Sequence, residues 1–134
     1  YGVMHANTFV NSPMILNKFL QTKKYNNLFL AGQLTGVEGY CESISTGLFA
    51  AINLDKFLNN EQMIELNNET MLGALVEYIT FSNHKKFQPI NSNWGITREI
   101  TGDKKKLKDK HYKNELRSKR ALEIINKLTK GGRI

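Results

Sequence analysis

The stretch FLAGQLTGVEGYCES, Phe29 to Ser43, decides how this chain is read. Three glycines, Gly32, Gly36 and Gly39, fall within eight residues, between an apolar run and a segment with helical spacing. Glycine takes up positive φ freely and lets a backbone come close to its neighbour. Two explanations fit: the chain turns sharply to pack on itself, or its backbone meets something that is not protein. Upstream, Asn27 to Gly32, NLFLAG, reads as a parallel strand buried on both faces and stopped by glycine. Downstream, Tyr40 to Leu58 reads as a helix: Cys41, Ile44, Leu48, Ala51 and Ile52 fall near helical spacing, and Gly47, Ala50 and Ala51 leave one side thin. Strand, glycine turn and helix together form half of a doubly wound α/β unit. A helix N-terminus carries free N–H groups and about half a positive charge, so the turn suits a phosphate or the carbonyl edge of a ring cofactor. GQLTGVEG matches neither G-x-G-x-x-G nor a P-loop, and the spacing alone leaves a purely structural turn open.

Outward from this centre the chain is mixed. FLQTKK, before the apolar run, has the character of a short strand, and Tyr1 to Val10 is extended in character. Pro13 suits a first helical turn after a Ser12 cap. Met71, Leu72, Leu75, Val76 and Ile79 predict a second helix over about Glu69 to Thr80, with Asn68 as its cap. NHKKFQPINSNWG is a long polar loop broken by Pro89 and Gly95. A last helix is expected from Asp103 to Lys130, ending at Gly131. Its Leu107, His111, Ser118, Ala121, Leu122, Ile125 and Leu128 share a face, which docks by its C-terminal half while the N-terminal half stays wet. This divides the chain into a strand–loop–helix part (1–58), a helix and polar loop packed on it (59–101), and a basic helical segment (102–134).

The 134 residues carry 40% hydrophobic and 23% charged side chains, values of a globular chain with one modest core. No apolar run approaches a membrane span and no secretory leader pattern is present. Cys41 is the only cysteine, which excludes a disulfide framework and a cysteine-rich zinc site and fits a reducing cytoplasm. His5, His84 and His111 lack metal-ligand spacing, so no metal is expected. The first residue, Tyr1, is not methionine, and a fragment or processed product is expected. The net charge of +7 is unevenly spread: four lysines face seven acids up to Phe81, whereas fifteen Lys and Arg face five acids after it. The basic end suits phosphates or acidic surfaces; a solvated lysine-rich tail is the plainer alternative.

The wording of four segments is more specific than any spacing. NLFLAGQLTGVEGYCESISTGLFAAIN resembles the C-terminal flavin-contacting segment of the folate- and FAD-dependent tRNA uracil-5-methyltransferases. YGVMHANTFVNSP before it, and ETMLGALVEYIT and FQPINSNWGI after it, resemble the same family in the same order, so the likeness covers about Tyr1 to Ile96 plus a basic helical tail. The tRNA wobble-uridine carboxymethylaminomethyl enzymes share only the first of these. The resemblance implies the C-terminal part of a glutathione-reductase-like FAD fold, with the N-terminal half and its G-x-G-x-x-G loop lying outside this chain. It implies transfer of a methylene group from methylenetetrahydrofolate to C5 of a uridine in RNA, with NAD(P)H replenishing reduced flavin. The target is the T-loop uridine of tRNA or, in a divergent paralogue, a uridine of large-subunit rRNA. A non-enzymatic basic RNA-binding module is the reading from another class.

By that resemblance Gly32, Gln33, Thr35, Gly36, Val37, Glu38, Gly39 and Tyr40 form the cofactor-binding stretch, with the Tyr40 helix aimed at the flavin pyrimidine edge. His5, Asn7, Asn93 and Trp94 are the substrate or folate candidates, and Lys104, Lys105, Lys106, Lys108, Lys110, Lys113 and Arg117 the RNA-backbone candidates. The family pattern has arginine where Ala6 stands, which removes a cation suited to folate carboxylate or RNA phosphate. The family's catalytic cysteines lie upstream, and Cys41 is expected to be a small buried helix residue without a catalytic role. Glu38 and Glu42 are placed either to complement a helix N-terminus or to hydrogen-bond the flavin.

Overall fold

The computed structural model describes residues 8–131; the expectations for His5, Asn7 and the strand-like start fall outside them. Four α-helices carry the fold: α1 (Ser12–Ile15), α2 (Tyr40–Leu58), α3 (Met71–Phe81) and α4 (Lys110–Lys130). Short 3-10 turns lie at Gly32–Thr35, His84–Lys86, Trp94–Ile96 and Lys106–Lys108.

The expected buried parallel strand is not formed among the described residues. Phe29 pairs with Gln21 through one antiparallel bridge, Leu16 with Thr22 through another, and the one parallel bridge joins Val37 to Ile90. Phe29, Leu30 and Ala31 are half-buried and lie against the core. A strand covered on both faces needs neighbours on both sides, and the described residues supply too few.

α2 has the bounds its sequence predicts but buries the other face. Glu42, Thr46, Phe49, Ala50 and Asn53 point inward, whereas Tyr40, Ile44 and Leu48 are 91%, 72% and 62% exposed. Cys41, expected to be buried, and Ala51 are exposed as well. The inward polar groups are all satisfied, which is what permits their burial. Thr46 Oγ1 donates to the Glu42 carbonyl at 2.7 Å and accepts from Gly32 N–H. Asn53, fully buried, accepts from Ile64 N–H at 2.7 Å and donates to the Ile64 carbonyl, clamping the 59–66 connection to the helix.

α3 starts at Met71 because Thr70, not Asn68, caps it: Thr70 Oγ1 accepts from Gly73 N–H at 3.0 Å. Asn68 instead donates to Glu77. Gly73 is obligatory, since a Cβ there would overlap the Asn67 carbonyl. Leu75, Val76 and Ile79 join Leu16, Leu20, Val37, Phe49, Ile64, Leu66 and Phe87 in the core.

α4 begins seven residues later than expected. Asp109 caps it by accepting from His111 and Tyr112 N–H, while Asp103 and a 3-10 turn take up the preceding residues. Ile125 and Leu128 lie against the core, as expected of the C-terminal half. Leu122 and Ser118 are exposed, and the face turned inward carries Arg117 and Ile124 instead.

Candidate functional site

The glycine loop folds against residues fifty positions away. Glu38 N–H donates to the Ile90 carbonyl and Ile90 N–H to the Gly36 carbonyl, each at 2.9 Å. Asn91 Nδ2 donates to the Glu38 carbonyl at 2.9 Å. From the other side Ser12 Oγ donates to the Thr35 carbonyl at 2.8 Å, and Val10 N–H to that of Leu34. Gly36 sits at φ +88° with the Phe87 ring against it; a Cβ would lie 2.6 Å from Phe87 Cζ. Gly39 sits at φ +111°, and its Cβ position is filled by the Glu42 carboxylate. Packing within the chain therefore accounts for both glycines.

This sorts the cofactor candidates. Thr35, Gly36 and Val37 are buried within the chain, and the amides of Gly36 and Glu38 donate to Gln33 and Ile90 carbonyls. Gly32 and Glu38 are half-buried, whereas Gln33, Gly39 and Tyr40 are exposed. α2 has no side-chain cap, and the amides of Tyr40 and Cys41 find no partner among the described residues. The start of α2 is thus the exposed part of the loop, with free N–H groups at Tyr40 and Cys41 and the Glu42 carboxylate beside Gly39.

Glu42, in the first turn of α2, accepts from Ser92 N–H at 2.9 Å and from the Ser92 hydroxyl. These bonds hold its carboxyl below the ordinary carboxylate range, the Ser92 hydroxyl contributing most. The structure uses Glu42 as a brace between α2 and the polar loop. Ser92 and Phe87 both pack on the loop or its helix, and although they lie in the FQPINSNWGI segment, neither spacing nor composition singles them out.

The loop candidates are engaged within the chain. Asn93 Oδ1 accepts from Gly95 N–H and its amide donates to the Asn91 carbonyl. Trp94 is half-buried, with the Arg117 guanidinium carbon 5.5 Å from its ring centroid. Arg117, expected to meet RNA phosphate, is instead buried: Nη2 lies 3.3 Å from Glu99 Oε1 and Nη1 3.3 Å from Asn114 Oδ1. Lys113 pairs with Glu99 at 2.8 Å and holds that carboxyl below its ordinary range. Lys104, Lys105, Lys106, Lys108 and Lys110 are all exposed and in no ion pair among the described residues. No group of His, Cys, Asp and Glu able to hold a metal occurs among the described residues, and no described helix is long and apolar enough to cross a membrane.

At the level of class, residues 1–62 match the family described as glucose inhibited division protein A. More narrowly, the chain is a homologue of proteins named methylenetetrahydrofolate–tRNA-(uracil-5-)-methyltransferase TrmFO. It is 47% identical to that of Bacillus velezensis and 45% identical to that of Bacillus subtilis, over 97% of this chain in both cases. It is 48% identical to that of Caldicellulosiruptor bescii over 96% of this chain. The chain spans about 29% of the length of these relatives.

Proposed function

We propose that this chain is part of an FAD-dependent methyltransferase that forms 5-methyluridine in RNA. Methylenetetrahydrofolate is the carbon donor, NAD(P)H the reductant and the T-loop uridine of tRNA the target. The observation that carries the reading is identity near one half, over nearly the whole chain, to relatives that bear that name. The α2 start supports it, because Gly39, Tyr40 and Cys41 are exposed and the amides of Tyr40 and Cys41 have no partner among the described residues. When bound, the flavin supplies the reducing equivalents that turn a transferred methylene into a methyl group. This chain's residues would orient it: the free amides of Tyr40 and Cys41 would meet its electron-rich edge, and the Glu42–Ser92 brace would hold the first turn of α2 in place beside it.

The apolar outer face of α2, with Tyr40, Ile44 and Leu48, supports a second element of the reading. A contiguous apolar face on one helix is a contact surface, and the remaining part of the FAD domain, in the portion of the relatives that this chain does not span, is its occupant. The exposed Lys104–Lys110 segment suits RNA phosphates, which need positive charge without sequence readout.

The test is the intact protein. It should purify with bound flavin and form 5-methyluridine in tRNA, with large-subunit rRNA as the comparison substrate, when given methylenetetrahydrofolate and NAD(P)H. A colourless protein that leaves both RNAs unmethylated would refute the reading.

A further inference from the structure

The N-terminal half of α4 and the glycine loop are joined by one short, braced segment, Ile90 to Glu99. At one end Ile90, Asn91 and Ser92 bond to Gly36, Glu38 and Glu42. At the other end the Arg117 guanidinium lies over the Trp94 ring, and Glu99 pairs with Arg117 and Lys113. Arg120 adds bonds to the Arg98 carbonyl at 2.7 Å and the Glu99 carbonyl at 3.2 Å. Asn93 stiffens the corner between the two ends through Gly95. The C-terminal half of α4 is seated differently, through Ile125 and Leu128 on the core. The start of α4, which the exposed Lys104–Lys110 segment leads into, is therefore placed by the contacts with residues 94–99. A buried guanidinium is a weak source of stability compared with an apolar side chain of the same volume, but a planar fork bonded at both ends fixes direction well.

We propose that Arg117 and Trp94, with Glu99, form a joint that sets where the Lys104–Lys110 segment stands relative to the glycine loop, so that RNA held on those lysines presents its target base to the cofactor side. Both are positioning residues: they act through α4 and leave the phosphate contacts to the lysines. The inference rests on the flavin- and RNA-dependent reading above.

The experiment uses the intact protein with Trp94→Ala, Arg117→Met and Trp94→Phe. All three should keep bound flavin and the salt slope of RNA affinity, since the lysines are unchanged. Turnover at saturating RNA should fall on the order of tenfold or more in Trp94→Ala and Arg117→Met, as expected when a substrate is held out of place. Trp94→Phe, which keeps a ring face for the guanidinium, should recover most of it. Unchanged turnover in Trp94→Ala and Arg117→Met overturns the joint. A loss of RNA affinity with unchanged turnover also overturns it, because it would make these residues direct contacts. If Trp94→Ala loses flavin, Arg117→Met and Trp94→Phe decide alone: low turnover in the first with near-normal turnover in the second supports the joint, and any other pairing overturns it. Failure of the functional reading shows separately, as absent flavin or absent methylation in the unsubstituted protein, and removes the joint's role with it.

Discussion

The carboxylate of Glu42, in the first turn of α2, is held by both the N–H and the hydroxyl of Ser92, fifty residues further along the chain. The pair ties the start of the helix to the polar loop and keeps the carboxyl below its ordinary range. A carboxyl with a depressed folded-state pKa contributes stability above its unfolded value and loses that contribution as pH falls through the folded one. Ser92→Ala should therefore destabilise the intact protein at neutral pH. The gap to the unsubstituted protein should shrink as pH falls from the ordinary carboxylate range through the lower folded-state value, and close once the carboxyl is protonated in both states. Thermal unfolding across pH measures it, and a gap independent of pH would contradict the role given to Glu42.

Gly36 should not accept even a methyl group. Its φ of +88° penalises any side chain, and the Phe87 ring occupies the space. Gly36→Ala is expected to destabilise by about 2–4 kcal/mol, from backbone strain and overpacking together. Adding Phe87→Leu should relieve the contact and leave the strain, so the double variant recovers only part of the loss. Melting temperatures of the three proteins decide it; a Gly36→Ala protein that melts like the parent would remove the packing explanation.

The Asn53 clamp on Ile64 is buried on every side. Asn53→Leu keeps volume but strands one backbone donor and one acceptor, at about 1–3 kcal/mol each. Hydrogen exchange should show the Ile64 amide losing protection in that variant, and retained protection would argue against the clamp.

The outer face of α2 gives a prediction that differs between the chain alone and the intact protein. Ile44→Lys and Leu48→Lys fall at exposed sites and should change the stability of the isolated chain by no more than about 0.5 kcal/mol. They should also lower its self-association, read by light scattering against concentration. In the intact protein the same changes bury charge at a contact and should reduce flavin retention. Full flavin retention would show that this face is not covered there.

Neutralising Lys104, Lys105, Lys106, Lys108 and Lys110 should flatten the salt dependence of RNA binding, by roughly 0.7–0.9 in slope for each phosphate contact removed. Neutralising Lys113 should add little, because Glu99 already holds it at 2.8 Å. An unchanged slope in the five-fold variant would exclude this segment as the RNA surface.

Much of the helical framework was legible in the residue order, because helix signals are local. The apolar period over Met71–Ile79 places α3, the helical spacing of Cys41, Ile44, Leu48, Ala51 and Ile52 after the glycine turn places α2, and Pro13 marks α1. Thr70, two residues after Asn68, caps α3, and α4 starts seven residues after Asp103, since Asn68, Thr70, Asp103 and Asp109 are all chemically able to cap and only their backbone geometry chooses among them. The strand through Phe29 was read from an apolar run whose sheet neighbours the described residues do not provide. The apolar pattern of α2 gave only part of its inward face: Ile52 lies against the core, but Cys41, Ile44, Leu48 and Ala51 are exposed, and the polar Glu42, Thr46 and Asn53 go inward because their bonds are met.

By itself the sequence determined the existence of the helices, the concentration of positive charge after Phe81, and the kinship carried by four ordered segments. These depend on residues a few positions apart or on wording that needs no coordinates. Only the tertiary structure decided that Gly36 yields to Phe87, that Glu42 braces Ser92, and that Arg117 is turned inward to Trp94 while five neighbouring lysines stay exposed. Each of those outcomes is a contact between side chains about twenty to fifty positions apart, and the energy of a buried polar or aromatic contact is set by the partner it meets, not by its neighbours along the chain.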